Sequence, residues 1–110
     1  MTTQAKISNG AKSPFPKATY ERNATIYKLL ANPKRLEILN LLKQKELAVE
    51  EMVKILKLPK ANISQHLAIL RHARLVTVRR NGLNAYYKIT DPRLVEPCRI
   101  LHNLWKDKSI

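Results

Sequence analysis

The stretch Val49–His72, VEEMVKILKLPKANISQHLAILRH, decides the fold of this chain. Its first eight residues put Val49, Met52, Val53 and Leu56 on one side of a short helix, the spacing of an inward face. Lys57-Leu58-Pro59 then breaks that helix, because Pro59 brings no amide proton and its ring clashes with the preceding turn. A longer helix is expected from Lys60 to His72, with Ile63, Leu67 and Leu70 inward at about 100° per residue. Ala61, Gln65, Ala68 and His72 fall on the opposite side, flanked by Asn62 and Ser64. A short helix, a tight break and a longer helix form a helix-turn-helix pattern. Small residues let such a helix sink into a major groove, while amides and hydroxyls meet base edges. Gln65 suits a bidentate contact with adenine, Ser64 a base or a phosphate, and Lys60 guanine or phosphate. His66 lies beside the core face, placed for packing or for a phosphate.

Downstream the period changes to two. Leu75-Val76-Thr77-Val78-Arg79-Arg80 alternates and is β-branched, Asn81-Gly82 signals a turn, and Ala85-Tyr86-Tyr87-Lys88-Ile89 returns as a partner strand. The pair reads as a basic hairpin, a wing, with Arg79, Arg80, Asn81 and Asn84 clustered at its tip. Paired arginines before a tight turn are placed to enter or straddle a minor groove. Asp91-Pro92 opens the last helical stretch, where Leu94, Cys98, Leu101 and Trp105 share a face. Pro97 either kinks this helix or begins it.

Upstream, Asn32 is a good N-cap and Pro33 suits a first helical turn. Leu36, Leu39 and Leu42, with Ile38 and Leu41, give the helix that follows a broad buried face. Before it, Tyr20, Ala24, Tyr27 and Ala31 share one face of a helix beginning near Ala18. Residues 1–17 are polar, punctuated by Gly10, Pro14 and Pro16, and read as a disordered basic arm carrying Lys6, Lys12 and Lys17. The expected architecture is one domain over residues 18–110, mainly α with a small β-hairpin (α+β): a winged helix-turn-helix.

A chain of 110 residues, 45% of them hydrophobic, can bury one modest core. Its 21 Lys and Arg against 8 Asp and Glu give a formal charge of +13, far more than solubility needs, so a polyanionic partner is expected. No acid occurs between Glu51 and Asp91, whereas Lys54, Lys57, Lys60, Arg71, Arg74, Arg79, Arg80 and Lys88 all lie there. Glu37, Glu46, Glu50 and Glu51 precede the stretch. A segment cleared of carboxylates suits a phosphate-facing surface. Helix and wing together point to duplex DNA. A membrane role is not expected, since no stretch is apolar enough to span and no amphipathic helix has one strongly basic face. A single cysteine excludes an intrachain disulfide and, with no signal-like start, fits the cytoplasm. No general acid-base pair, activated nucleophile or phosphate-cradling glycine loop is present, so an enzyme is not expected.

From about Ala18 to Trp105 the chain resembles the ArsR/SmtB winged-helix repressors. The carrying phrases are Leu29-Leu30-Ala31-Asn32-Pro33-Lys34-Arg35-Leu36-Glu37-Ile38-Leu39 and Ala61-Asn62-Ile63-Ser64-Gln65-His66-Leu67. Leu70-Arg71 before Leu75-Val76, and Arg79-Arg80-Asn81-Gly82 before Tyr86-Tyr87, complete them. The resemblance implies a homodimer whose first and last helices pack across a two-fold axis, with two recognition helices reading an imperfect palindrome. By position it assigns base contacts to Lys60, Ala61, Ser64 and Gln65, with Asn62 and His66 beside them. It further implies a repressor that senses something and lets go of DNA.

The sensing motifs of the resemblance are incomplete here. Its thiolate site would need cysteines at Ala48 and Glu50, and its carboxylate-imidazole site would need histidines at Arg93 and Leu104, beside Asp91 and Asp107. No metal cofactor is therefore expected at either place, because carboxylates without imidazoles make a poor zinc site. Cys98 is left as a small packing group or as a switch. With His102 one turn away, it would complete a Cys2His2 metal site only across a dimer. Two rivals to a releasing repressor stand beside it: a non-sensing architectural DNA-binding module, and a winged helix used for protein contacts.

Overall fold

The computed structural model describes residues 10–110, so residues 1–9 of the expected arm, Lys6 among them, lie outside the described residues. Among the described residues the elements follow in the order α1 Lys17–Leu30, α2 Pro33–Gln44, β1 Leu47–Ala48, α3 Val49–Leu56, α4 Lys60–His72, β2 Val76–Asn81 and β3 Asn84–Ile89. A 3-10 turn at Pro92–Val95 leads into α5, Glu96–Lys106. Within the last part of the arm, Ser13 Oγ donates to the Tyr20 hydroxyl at 2.9 Å. Phe15 meets the Tyr20 ring edge-on at 5.9 Å between centroids.

The start of α2 is the clearest case of sequence setting local structure. Asn32 is extended, and its side-chain carbonyl accepts from the amides of Lys34 at 3.0 Å and Arg35 at 3.1 Å. Two of the amides that the first helical turn leaves without partners are satisfied in this way, and Pro33 removes a third. Such a cap contributes about 1 kcal/mol.

One core joins the elements. Ile38, Leu39 and Leu42 of α2, Met52 of α3, and Ile63, Leu67 and Leu70 of α4 are buried together with Leu47, Leu75, Val76, Ile89 and Val95. Complete burial of one such aliphatic side chain contributes roughly 1.5–3 kcal/mol. Helix α1 adds only partly buried residues, Ile26, Leu29 and Leu30. Tyr20 and Tyr27, on the face read from the sequence, point instead to solvent.

The sheet has the order β1-β3-β2 and is antiparallel throughout. Its short first strand escapes a periodicity reading, because two residues are too few to show alternation; it pairs Leu47 with Tyr87 and Ala48 with Tyr86. At the hairpin, Asn81 pairs with Asn84, so the two-residue turn is Gly82-Leu83 rather than Asn81-Gly82. Gly82 takes φ +65°, which a side chain would strain. At the base of the wing the Leu75 amide donates to the Leu70 carbonyl of α4 at 2.9 Å, and the Thr90 amide donates to the Leu75 carbonyl at 3.0 Å.

Candidate nucleic-acid interface

Helix α4 is held from two directions. Ile63, Leu67 and Leu70 anchor its inner side, and α3 precedes it through a break in which Lys57 takes a left-handed φ of 55°. Ala61, Asn62, Ser64, Gln65, Ala68 and His72 are all exposed on the outer side, as the sequence places them. This outer row of short and neutral hydrogen-bonding side chains fits against base edges, and it carries no carboxylate.

His66 sits apart from that row. It is half-buried, and its Nδ1 accepts from Arg35 Nε at 3.2 Å. Arg35 also donates from Nη1 to the Leu29 carbonyl near the end of α1, at 3.2 Å. Arg35 thus ties α4 to α1, and His66 serves this tie rather than pointing outward with Gln65. Burial, and then the Arg35 charge, push the His66 imidazole below its ordinary value of 6.5. The unfolded chain therefore takes up this proton before the folded one does. Stability from this site is complete above about pH 6.5 and falls as the pH drops toward the depressed folded value. A His66→Gln variant, whose amide oxygen still accepts from Arg35, should lose less melting temperature than the wild type across that interval. Equal losses in thermal melts would remove His66 from the account.

The wing separates the two arginines that the sequence places together. Along β2 the side chains alternate faces, so Val76, Val78 and Arg80 lie on one side and Thr77, Arg79 and Asn81 on the other. Arg79 stands over the Tyr86 ring at 5.0 Å, and its Nε donates to Glu46 Oε2 at 3.2 Å. Its head is therefore occupied by a carboxylate from the α2–β1 connection. Arg80 instead lines a cleft of about 270 Å³ between wing and helices, together with Lys60, Glu50, Asn84 and Tyr87. Among the described residues, no carboxylate pairs with Arg80, Arg71 or Arg74.

The fold also returns acids to the basic stretch. Glu50, in the first turn of α3, meets Lys60 at 2.8 Å, and Glu46 meets Arg79. Sequence distance from the acid-free segment concealed both. Arg71 and Arg74, unassigned to the site by sequence, line shallow surface depressions beside Ala68, His72 and Thr77 at the far end of α4. Their position in the basic run was the available signal.

Comparison with known proteins settles the family. The description "Bacterial regulatory protein, arsR family" matches residues 32–78, from the α2 cap into the wing. Over 83 residues the chain is 39% identical to the transcriptional repressor PagR of Bacillus anthracis, covering 74% of this chain and 83% of PagR. The chain belongs to the ArsR family. This ArsR-family chain is also 35% identical over 80 residues to the transcriptional activator HlyU of Vibrio cholerae, covering 73% of the chain and 74% of HlyU. The solution structure of the homodimeric winged helix-turn-helix DNA-binding domain of Mb0332 from Mycobacterium bovis superposes with a TM-score of 0.74 at 30% identity. The match covers 90% of this chain and 94% of that one. The winged helix-turn-helix expected from the sequence is thus the fold.

At the positions where the family resemblance implied sensing residues, this ArsR-family protein has other contacts. The Ala48 amide donates to Glu51 Oε1 at 2.9 Å, and Glu50 holds Lys60. Asp91 caps the 3-10 turn and is gripped by Arg93, whose Nη2 lies 2.7 Å from Oδ2; the bonds from Arg93 hold the Asp91 carboxyl down to about 2. Cys98 is half-buried beside Leu94 against the core, while His102 is exposed. No group of three or more His, Cys, Asp and Glu is gathered among the described residues. No helix there is long and apolar enough to cross a membrane.

Proposed function

We propose that this protein is a homodimeric, sequence-specific binder of duplex DNA that represses transcription, acting by binding rather than catalysis. The observation that carries this reading is the outer side of α4, exposed at Ala61, Asn62, Ser64, Gln65, Ala68 and His72, with Lys60 at its start lining one cleft with the unpaired Arg80. In this reading Gln65, Ser64, Asn62 and Ala61 meet base edges, Lys60 meets a base or phosphate, and Arg80, Asn81 and Asn84 of the wing meet the adjoining backbone or minor groove. One short helix reads few base pairs, so useful specificity needs two copies.

The surface supplies a place for the second copy. Tyr27 of α1 is 65% exposed, and Leu101 and Trp105 of α5 are 49% and 66% exposed. These residues belong to the first and last helices, the pair expected to meet across a two-fold axis. Support for dimerisation comes also from Mb0332, whose domain is homodimeric.

Selection of duplex fragments by the purified protein, followed by footprinting, tests the proposal. Expected are two protected half-sites related by two-fold symmetry, with centres about 10–10.5 base pairs or a multiple apart. Absence of any protected duplex would overturn it.

Release by an effector belongs to the same reading, and Cys98 is the only thiol available for it. Its contact with the core supports a packing role instead. Cys98→Ser should therefore bind the selected duplex as the wild type does, before and after peroxide. Peroxide release seen in the wild type alone would make the thiol a switch.

A further inference from the structure

Beside Lys60 and Arg80, in the face assigned to DNA, stands a side chain of the opposite charge. Glu50 projects from the first turn of α3 into the cleft that Lys60 and Arg80 line, and is 67% exposed as a side chain. Its position would bring a carboxylate toward the phosphates of any duplex seated on α4. Two ordinary reasons for an acid at this place are weak. Capping is already done by its neighbour, since Glu51 accepts from the Ala48 amide. Stability gains little from the contact with Lys60, because both partners are exposed and such pairs are heavily screened.

What the contact does change is Lys60. This lysine opens α4, at the end of a recognition helix whose residues reach base edges. Glu50 Oε1 holds its ammonium at 2.8 Å, which restricts a flexible side chain and offsets its charge. That bond, with a backbone hydrogen bond beside it, keeps the Glu50 carboxyl below its ordinary value, and both partners are charged at neutral pH. A free lysine is a strong, sequence-blind phosphate binder. A tethered one is already ordered for a donor–acceptor contact at one place, and loses less freedom in making it.

We infer that Glu50 is a specificity-determining positioning residue that holds Lys60 away from phosphates and thereby weakens binding to non-operator duplex more than binding to operator. The inference rests on the DNA-binding reading above.

Glu50→Gln keeps the side chain's size and removes its charge, at an exposed position outside the buried core. Affinity is measured for the selected duplex and for a scrambled duplex over a range of salt. Expected is a rise of about two- to fivefold on the scrambled duplex, the size of an exposed ion pair, with a smaller change on the selected one. The salt slope on scrambled duplex should steepen by about 0.9 per protomer, one additional phosphate contact in each. In a Lys60→Gln background the same substitution should have a smaller effect, since only the carboxylate's own repulsion of phosphate is then removed. Glu51→Gln, the same charge change one residue on, should leave the slope as it was. Equal gains on both duplexes, an undiminished effect in the Lys60→Gln background, or no effect would each overturn the inference. Loss of affinity for the selected duplex alone would also overturn it, by making Glu50 a direct base contact. Failure of the wild type to bind any duplex would instead remove the functional reading on which it rests.

Discussion

Replacing Leu101 and Trp105 together by Asp should convert the protein to a monomer and lower its affinity for the selected duplex by about 10²–10⁴, the loss expected when two linked binding events become one. Neither residue belongs to the buried core of the protomer, and Trp105 is 66% exposed. The fold should therefore survive, with an unchanged circular dichroism spectrum and cooperative melt. Exposed apolar groups of this size on adjoining helices mark a docking surface. A buried unpaired carboxylate in the middle of such a surface opposes association strongly, since the charge has no partner across it. Sedimentation velocity reads the oligomeric state, and fluorescence anisotropy the affinity. A double variant that stays dimeric would show that α1 and α5 do not form the interface.

The second large effect concerns Gln65 and Arg80, which should fail in different ways. Gln65→Ala removes an amide from the outer side of α4, and in a symmetric dimer it removes two. A bidentate base contact discriminates by about 1–3 kcal/mol, so the selected duplex should lose roughly five- to 150-fold per copy. That loss should be confined to one base pair in each half-site, and the salt slope should stay as it was. Arg80→Ala should weaken all duplexes alike and reduce the steepness of the slope by about 0.9 per protomer. Arg79→Ala should do less, because its guanidinium is engaged by Glu46 and the Tyr86 ring. Identical behaviour of the Gln65 and Arg80 variants in a base-by-base substitution series would mean that helix and wing do not divide the work.

How much of this was legible in the sequence depended on the range of the interaction. The inward side of α4 could be read because Ile63, Leu67 and Leu70 repeat at helical spacing, and all three are buried. The cap at Asn32 could be read because a side chain and the amides it serves are two and three residues apart. The hairpin was legible, but its turn slipped by one residue. Asn81-Gly82 and Gly82-Leu83 both put the glycine in the loop, and only cross-strand register distinguishes them.

Contacts between distant segments were not legible. Nothing in the order of residues joins Arg35 to His66, 31 positions on, or Glu46 to Arg79, 33 positions on. The run from residue 52 to 90 carries no acid, yet the fold sets Glu46 and Glu50 against its basic residues. The two arginines of the wing read as a pair because they are neighbours in sequence. In a strand, neighbours point to opposite faces, and the partners of Arg79 come from elsewhere.

Binding of the wild-type homodimer to its selected duplex and to a scrambled one, each titrated with salt, tests the central claim most directly. The account predicts steep negative slopes on both duplexes and an affinity at least about 10³ higher for the selected one. A slope near zero would mean that the basic face serves something other than DNA. Steep slopes with equal affinities would mean a duplex binder that does not read sequence, and would contradict the role given to the outer side of α4.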